Sequence, residues 1–337
     1  MKAFAAIALG LCTAVLAVAP ASGSGGPAIL GGTYGAGGVS VRGSDFRYAA
    51  IDTGRSGTIV EQIRADGGGI RHYKAVGEGW QLPAVTLLGR PGGLSADGRR
   101  LVLTHAAYSA SGAVTGRTAF LVLYTGSLKP FRTIELDGTY SFDAISPDGR
   151  SLYLVEYANP KDPLDYRVRR YDVDAGEFRG GAIVDADEPD EKMTGQPISR
   201  VYSPDGASAY TLYAGGHETF IHALDTVHGT AQCVDLDGVE ALDARGGAAV
   251  FDLSLDVNPA TGSVTVLRRE HAAASMDQAT FAVGPPPAEP AADAQADTTA
   301  DAGKAAGWVA PVAIGCGVLL LAAAALLATR RRPSAHA

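Results

Sequence analysis

The chain has 337 residues, with 28 Lys and Arg against 36 Asp and Glu, a formal net charge of −8 at pH 7, and only 3 Cys. An acidic chain lacks the basic surface on which affinity for nucleic acid or anionic lipid rests, so those functions are set aside. Cys12 and Cys316 fall in the apolar ends, which leaves Cys233 alone in the central region and excludes a disulfide-stapled fold there.

In chain order, residues 1–21 combine a single charge at Lys2, an apolar run to Val18 and the small-residue stretch Ala19-Pro20-Ala21, the pattern of a secretory signal peptide. Leu11 stands before Cys12, where lipid attachment calls for a small residue, so the leader reads as cleaved rather than lipidated. The glycine-rich residues 31–38 lack the Gly-Lys-Ser/Thr of a phosphate loop and read as a flexible entry to the folded part.

That folded part is expected over residues 28–284. Three stretches share one plan: LSADGRRLVL from Leu94, ISPDGRSLYL from Ile145 and YSPDGASAYTL from Tyr202. In Ser-Pro-Asp-Gly, proline presets φ, aspartate bonds its own backbone and glycine supplies the positive φ that closes a tight hairpin. The first copy carries Ala96 in place of proline. Each copy is followed by a second hairpin, over residues 120–136, 168–184 and 220–236, and two hairpins make a four-stranded sheet. Residues 58–76 match the second hairpin of an earlier unit whose first turn centres on Gly43-Ser44-Asp45. Towards the end, residues 241–255 and 256–270 both fit as hairpins, closing one unit or beginning two. The turn aspartates are separated by 51 residues (Asp97 to Asp148) and 57 (Asp148 to Asp205), near the period of propeller blades.

Residues 285–307 are Pro, Ala, Asp and Thr, too polar to pack, and read as a disordered tether averaging roughly 25–30 Å as a flexible coil. Residues 308–328 carry no charge and as a helix would span about 31 Å, enough to cross a bilayer. Arg330, Arg331 and Arg332 follow, which places the tail of residues 329–337 in the cytoplasm and the folded part outside, on a single-pass membrane protein.

The Ser-x-Asp-Gly hairpins resemble the repeats of TolB-like and WD-repeat-like β-propellers of bacterial envelopes, over most of residues 41–270. The resemblance implies an all-β fold: a β-propeller of five or six four-stranded blades, seven at most, followed here by one C-terminal transmembrane helix. It says little about function, because such propellers include docking modules, lactonases and regulatory domains of peptidases. The anchor and the missing N-terminal domain depart from TolB, so a translocation role is not carried over. A sandwich of short strands is the competing fold, but sandwiches do not ordinarily repeat one turn formula at this spacing.

Propeller connectivity collects the irregular segments, residues 77–92, 104–117, 156–166, 185–197 and 214–218, on the rim opposite the formulaic turns, and binding usually lives on such loops. Trp80, Tyr108, Tyr157 and Tyr213 are the aromatic binding candidates there, with packing between blades as the alternative for each. His105 and Glu156, each eight residues past its turn aspartate, are the candidates for an acid/histidine site of a propeller hydrolase or lactonase. The run Asp185, Asp187, Glu188 and Asp190 offers oxygen ligands for Ca²⁺, but its spacing matches no calcium loop and a solvated loop is the favoured reading. No other cofactor is expected. In HETFIH, the second histidine, His222, comes one residue late for the zinc-protease helix, and Cys233 sits inside a strand as a sheltered thiol. The expected protein is a monomeric extracytoplasmic binding module for an envelope protein or extracellular ligand. An enzyme and a passive surface protein are the alternatives.

Overall fold

The computed structural model describes residues 32–33, 35–54, 57–105, 116–159, 162–190, 195–214, 219–236 and 247–286. Among these no helix is long and apolar enough to cross a membrane. The leader, the span at 308–328, the tail, the linker beyond Pro286 and Tyr108 lie outside the described residues.

The described residues form five antiparallel sheets. Blade 1 is β2 (Gly35–Val39), β3 (Phe46–Asp52), β4 (Thr58–Arg64) and β5 (Ile70–Ala75). Blade 2 is β6 (Trp80–Pro83), β7 (Arg100–His105), β8 (Arg117–Tyr124) and β9 (Pro130–Asp137), with the two-residue β1 (Gly32–Thr33) added beside β6. Blade 3 is β10 (Thr139–Ile145), β11 (Ser151–Asn159), β12 (Asp162–Asp172) and β13 (Glu177–Ile183). Blade 4 is β14 (Gln196–Tyr202), β15 (Ser208–Ala214), β16 (Phe220–Asp225) and β17 (Thr230–Asp235). Blade 5 is β18 (Leu253–Asn258), β19 (Ser263–Arg268), β20 (His271–Asp277) and β21 (Val283–Gly284). Within each blade the strands pair in sequence order, as a meander.

The repeated turn works through the same atoms in blades 2, 3 and 4. The Ser hydroxyl donates to the Asp carboxylate at 2.6–2.7 Å (Ser95, Ser146, Ser203). The same carboxylate accepts the backbone N–H two residues on, in Arg99, Arg150 and Ala207. The Ser oxygen in turn accepts the N–H of the first strand residue. Every donor and acceptor is within five residues, so the turn closes without tertiary help. Thr125 and Thr226, just past the third strand of blades 2 and 4, donate to the turn carbonyls of Gly98 and Gly206. Blade 3 has Val173 at that place and keeps only the backbone bond to Arg150.

Alternation along the middle strands packs blades 2, 3 and 4 on both neighbours. Leu101 and Leu103 of β7 join Tyr48, Ala50 and Val60 of blade 1, while Val102 between them joins Phe142 and Leu152 of blade 3. On β11, Leu152 and Leu154 face blade 2, and Tyr153 and Val155 face Ala209 and Leu224 of blade 4. Leu212 of β15 faces Leu255 and Val266 of blade 5. A period of two with apolar residues on both faces is what a strand between two sheets requires. Each such leucine contributes about 1.5–3 kcal/mol by leaving water.

The sheets surround a common axis. One cavity of about 360 Å³ is lined by Val41 of blade 1, Leu94 of blade 2, Ile145 of blade 3, Val201 of blade 4 and Leu255 of blade 5. Five sheets sharing one cavity make a wheel, which two facing layers could not. The described residues fold as a β-propeller of five blades.

The described residues hold five blades, as expected from the lower count. Two expectations are corrected. Within 241–255 the described residues Gly247–Asp252 form a short 3₁₀ helix leading into β18 rather than the arm of a hairpin, and the last hairpin is instead β20–β21. Of the segment at 156–166, expected as an irregular loop, residues 156–159 and 162–166 are paired as arms of the β11–β12 hairpin.

Candidate binding site

The innermost path of blade 2 is interrupted. After β6 the chain leaves the strand at Val85 and returns through a bridge between Ala84 and Pro91, and Leu94 then pairs with Leu101. The excursion is closed on itself by Val85 N–H donating to Arg90 O at 2.8 Å and by Arg90 N–H donating to Thr86 Oγ1 at 3.2 Å. Val85 packs in the core shared with Phe142 of blade 3. Leu87 N–H donates to Pro197 O on the inner strand of blade 4 at 2.8 Å. A segment of blade 2 is thus tied to blade 4 and hands Arg90 to the axial cavity.

The walls of the cavity mix apolar side chains with the polar Ser40, Tyr202 and Ser203, and Arg42, Arg90 and Asp256 contribute charges. All three are exposed, and among the described residues none forms an ion pair or a side-chain hydrogen bond. Tyr202, also in the wall, lies with its ring 5.9 Å from the Arg200 guanidinium. Burial pushes the Tyr202 phenol up, with Arg200 opposing, so it stays a neutral hydrogen-bond donor.

Arg200 itself is 3 % exposed and pairs with Asp143 of blade 3, 7 % exposed, through Nη2, while Nη1 donates to Asp143 O at 2.8 Å. Asp143 occupies a register break of β10, which re-aims its side chain towards blade 4. Burial works against the charge on Arg200, but Asp143 outweighs it and holds the guanidinium above its ordinary range. Arg200 begins a cross-strand row over blade 4, paired in register with Thr211, then His222, then Cys233. His222 is buried and burial lowers its pKa, so it is neutral at pH 7.

The aromatic candidates fall into packing positions. Tyr157 is 6 % exposed with its hydroxyl 3.3 Å from Ser141 Oγ, and Tyr213 is 4 % exposed and stacked on Phe220. They face the blade 3–4 boundary rather than solvent, because the strands carrying them continue to the rim. Trp80 is half-buried and meets His105 edge-on at 5.6 Å, its partner in register.

Glu156 is committed elsewhere. Its carboxylate accepts from Arg167 at 2.7 Å, Arg169 at 3.0 Å and Tyr140 at 3.2 Å. The Arg167 hydrogen bond lowers its pKa, burial opposes, and Arg169 and Tyr140 add to the lowering. A carboxylate held this way is a poor proton donor near neutrality. Because the folded value lies below the unfolded one, near 4.3, the stability it contributes is present above that pH and is lost as pH falls through the folded pKa. Glu156→Gln is therefore expected to lower the urea midpoint at pH 7, with the gap to wild type closing by about pH 3. A gap that stays constant or widens on acidification contradicts the assignment.

Of the acidic run, Asp185 is half-buried and tied down: Oδ1 accepts from Asp187 N–H at 2.9 Å and Oδ2 from Cys233 N–H at 2.8 Å. Asp187, Glu188 and Asp190 are exposed. Among the described residues no three His, Cys, Asp or Glu side chains gather to hold a metal ion. The structure thus brings together Arg42, Arg90, Tyr202 and Asp256, which sequence reasoning missed. Aligning the repeats on the turn aspartate sets Asp143 and Arg200 in one column, each five residues before it, and opposite charges there were the available signal.

No known protein family's sequence pattern matches the chain, and no curated protein matches it. Among solved structures it is similar to the β-propeller domain of Cps50 (Swd1) from Myceliophteria thermophila, at 10 % identity over 68 % of this chain and 62 % of that one, TM-score 0.39. It is similar to TolB from Acinetobacter baumannii, at 15 % identity over 71 % of this chain and 52 % of that one, TM-score 0.36. A third is the TolB-type protein of Agrobacterium tumefaciens, at 14 % identity over 71 % and 68 %, TM-score 0.36. The chain thus spans under two thirds of the first two. Likeness at this level concerns the fold; the propeller itself rests on the five sheets and their shared cavity.

Proposed function

We propose that the protein is exported, held at the outer face of the cell membrane by one C-terminal helix, and acts as a binding module whose ligand enters the axial cavity. The leader, the uncharged stretch at 308–328 and the arginines behind it support the location. The observation that carries the binding reading is the cavity, walled by all five blades and bearing three charged side chains without partners. Its 360 Å³ falls within the range of small-ligand sites. The surrounding inter-blade cores fix the backbone that carries those side chains, which limits the ordering cost of binding to the side chains themselves.

The test places a photo-crosslinking amino acid at Val41, in the cavity, or at Val184, which is 47 % exposed on the blade 3 to blade 4 connection. In intact cells the protein is expected to sediment with membranes, and crosslinked adducts to form from position 41 well above those from 184. Equal yields from the two positions, or a soluble cytoplasmic product, would overturn the reading.

A further inference from the structure

We infer that the axial cavity recognises a carboxylate carried on a compact apolar body beside an N–H donor, the chemistry of a peptide C-terminus or a free N-acyl amino acid. This deepens the binding reading and rests on it.

Arg42 and Arg90 come from the adjacent blades 1 and 2 to one cavity, and among the described residues neither has an acidic partner. The neighbouring Arg200 is neutralised by Asp143, so the wall carries two arginines against the single carboxylate of Asp256. That excess of one positive charge suits a monoanion. Guanidinium groups bind carboxylates through paired N–H donors in a fixed fork, so an arginine here supplies geometry as well as charge.

The remaining lining sets the rest of the ligand. Val41, Leu94, Ile145, Val201 and Leu255 present one apolar residue per blade beside the polar Ser40, Tyr202 and Ser203, a mixture that suits one compact hydrocarbon side chain carried on a polar backbone. Asp256 repels a second negative charge and accepts an N–H, which disfavours phosphate esters and dicarboxylates and favours an amide next to the carboxylate. The closed excursion at residues 84–90, tied to Pro197, keeps Arg90 in place before the ligand arrives.

The experiment uses the purified full-length protein in nanodiscs, titrated calorimetrically with N-acetyl-leucine, N-acetyl-leucinamide, and a hexapeptide ending in leucine with a free or amidated C-terminus. Each acid is expected to bind at least tenfold tighter than its amide. Arg42→Gln or Arg90→Gln should remove most of that preference, and Asp256→Asn should raise affinity for the acids. Both arginines are exposed, so thermal melts of the variants should match wild type. Binding of the peptide acid alone assigns a protein C-terminus, and binding of both acids assigns the free acid as well. Equal affinity for acid and amide, a preference that survives both arginine substitutions, or no binding of any probe overturns the inference. Position-specific crosslinking at Val41 then reports separately on whether the cavity binds something else.

Discussion

Asp143→Leu is expected to lose about 3–5 kcal/mol of stability, the largest single effect in the molecule outside its apolar cores. The substitution removes the carboxylate and leaves Arg200, 3 % exposed, as a buried cation with no counter-charge. The surroundings cannot supply one. Arg200 Nε already has no hydrogen-bond partner, the next residue in the row is Thr211, whose Oγ1 also has none, and His222 beyond it is neutral. What remains among the described residues is uncharged: the backbone carbonyl of Asp143, which still accepts from Nη1, and the neighbouring Tyr202 phenol. The double variant Asp143→Leu, Arg200→Met replaces the pair by apolar side chains of similar size and is expected to recover most of the loss, because the desolvation of both charges goes with them. Urea unfolding of the two single variants and the double measures this directly. A single-variant loss below about 1 kcal/mol, or a double variant as unstable as the singles, would show that the pair does not hold blades 3 and 4 in register.

Gly206→Ala is expected to cost about 2–4 kcal/mol, and Gly98→Ala, the same substitution in the same turn formula, about 1–2 kcal/mol. Both glycines have positive φ, +74° and +68°, where a side chain is strained regardless of space. The difference lies in what surrounds them. A Cβ on Gly206 would sit 2.4 Å from Ala96 Cβ in the turn of blade 2, whereas one on Gly98 meets nothing nearer than Val41 at 3.9 Å. The turns of blades 2 and 3 also touch, through Asp97 N–H donating to Pro147 O at 3.0 Å. The formulaic turns therefore converge around the end of the wheel. Combining Gly206→Ala with Ala96→Gly should restore the part of the loss due to contact and leave the part due to φ. Equal costs at positions 98 and 206 would mean that the turns do not meet.

These two predictions mark where reading the chain by eye succeeds and where it stops. The hairpins at 58–76, 120–136, 168–184 and 220–236 form where their turn residues place them, since each turn is closed by bonds among near neighbours. The final hairpin escaped notice because HAAASMD has few of the branched and aromatic residues that announce a strand; β20 is stabilised by Ala274 and Met276 meeting Val264 and Val266 across the pair. Glu156 and His105 stand eight residues past the turn aspartates of successive blades, and their neighbours could not be read from that spacing: Arg167 and Arg169 hold Glu156, and Trp80 meets His105 edge-on.

The amino-acid order alone determined the all-β class, the turn chemistry, the paired hairpins of each repeat and the expectation of a tethered, exported protein. Each of these follows from interactions within a few residues or from the period of apolar side chains, both of which can be read along a line. The number of blades, the pair between Asp143 and Arg200, and the gathering of Arg42, Arg90 and Asp256 at the axis were decided only by the tertiary structure. Those features join residues from different blades, and their positions depend on how many sheets close the circle, a quantity that no local pattern encodes.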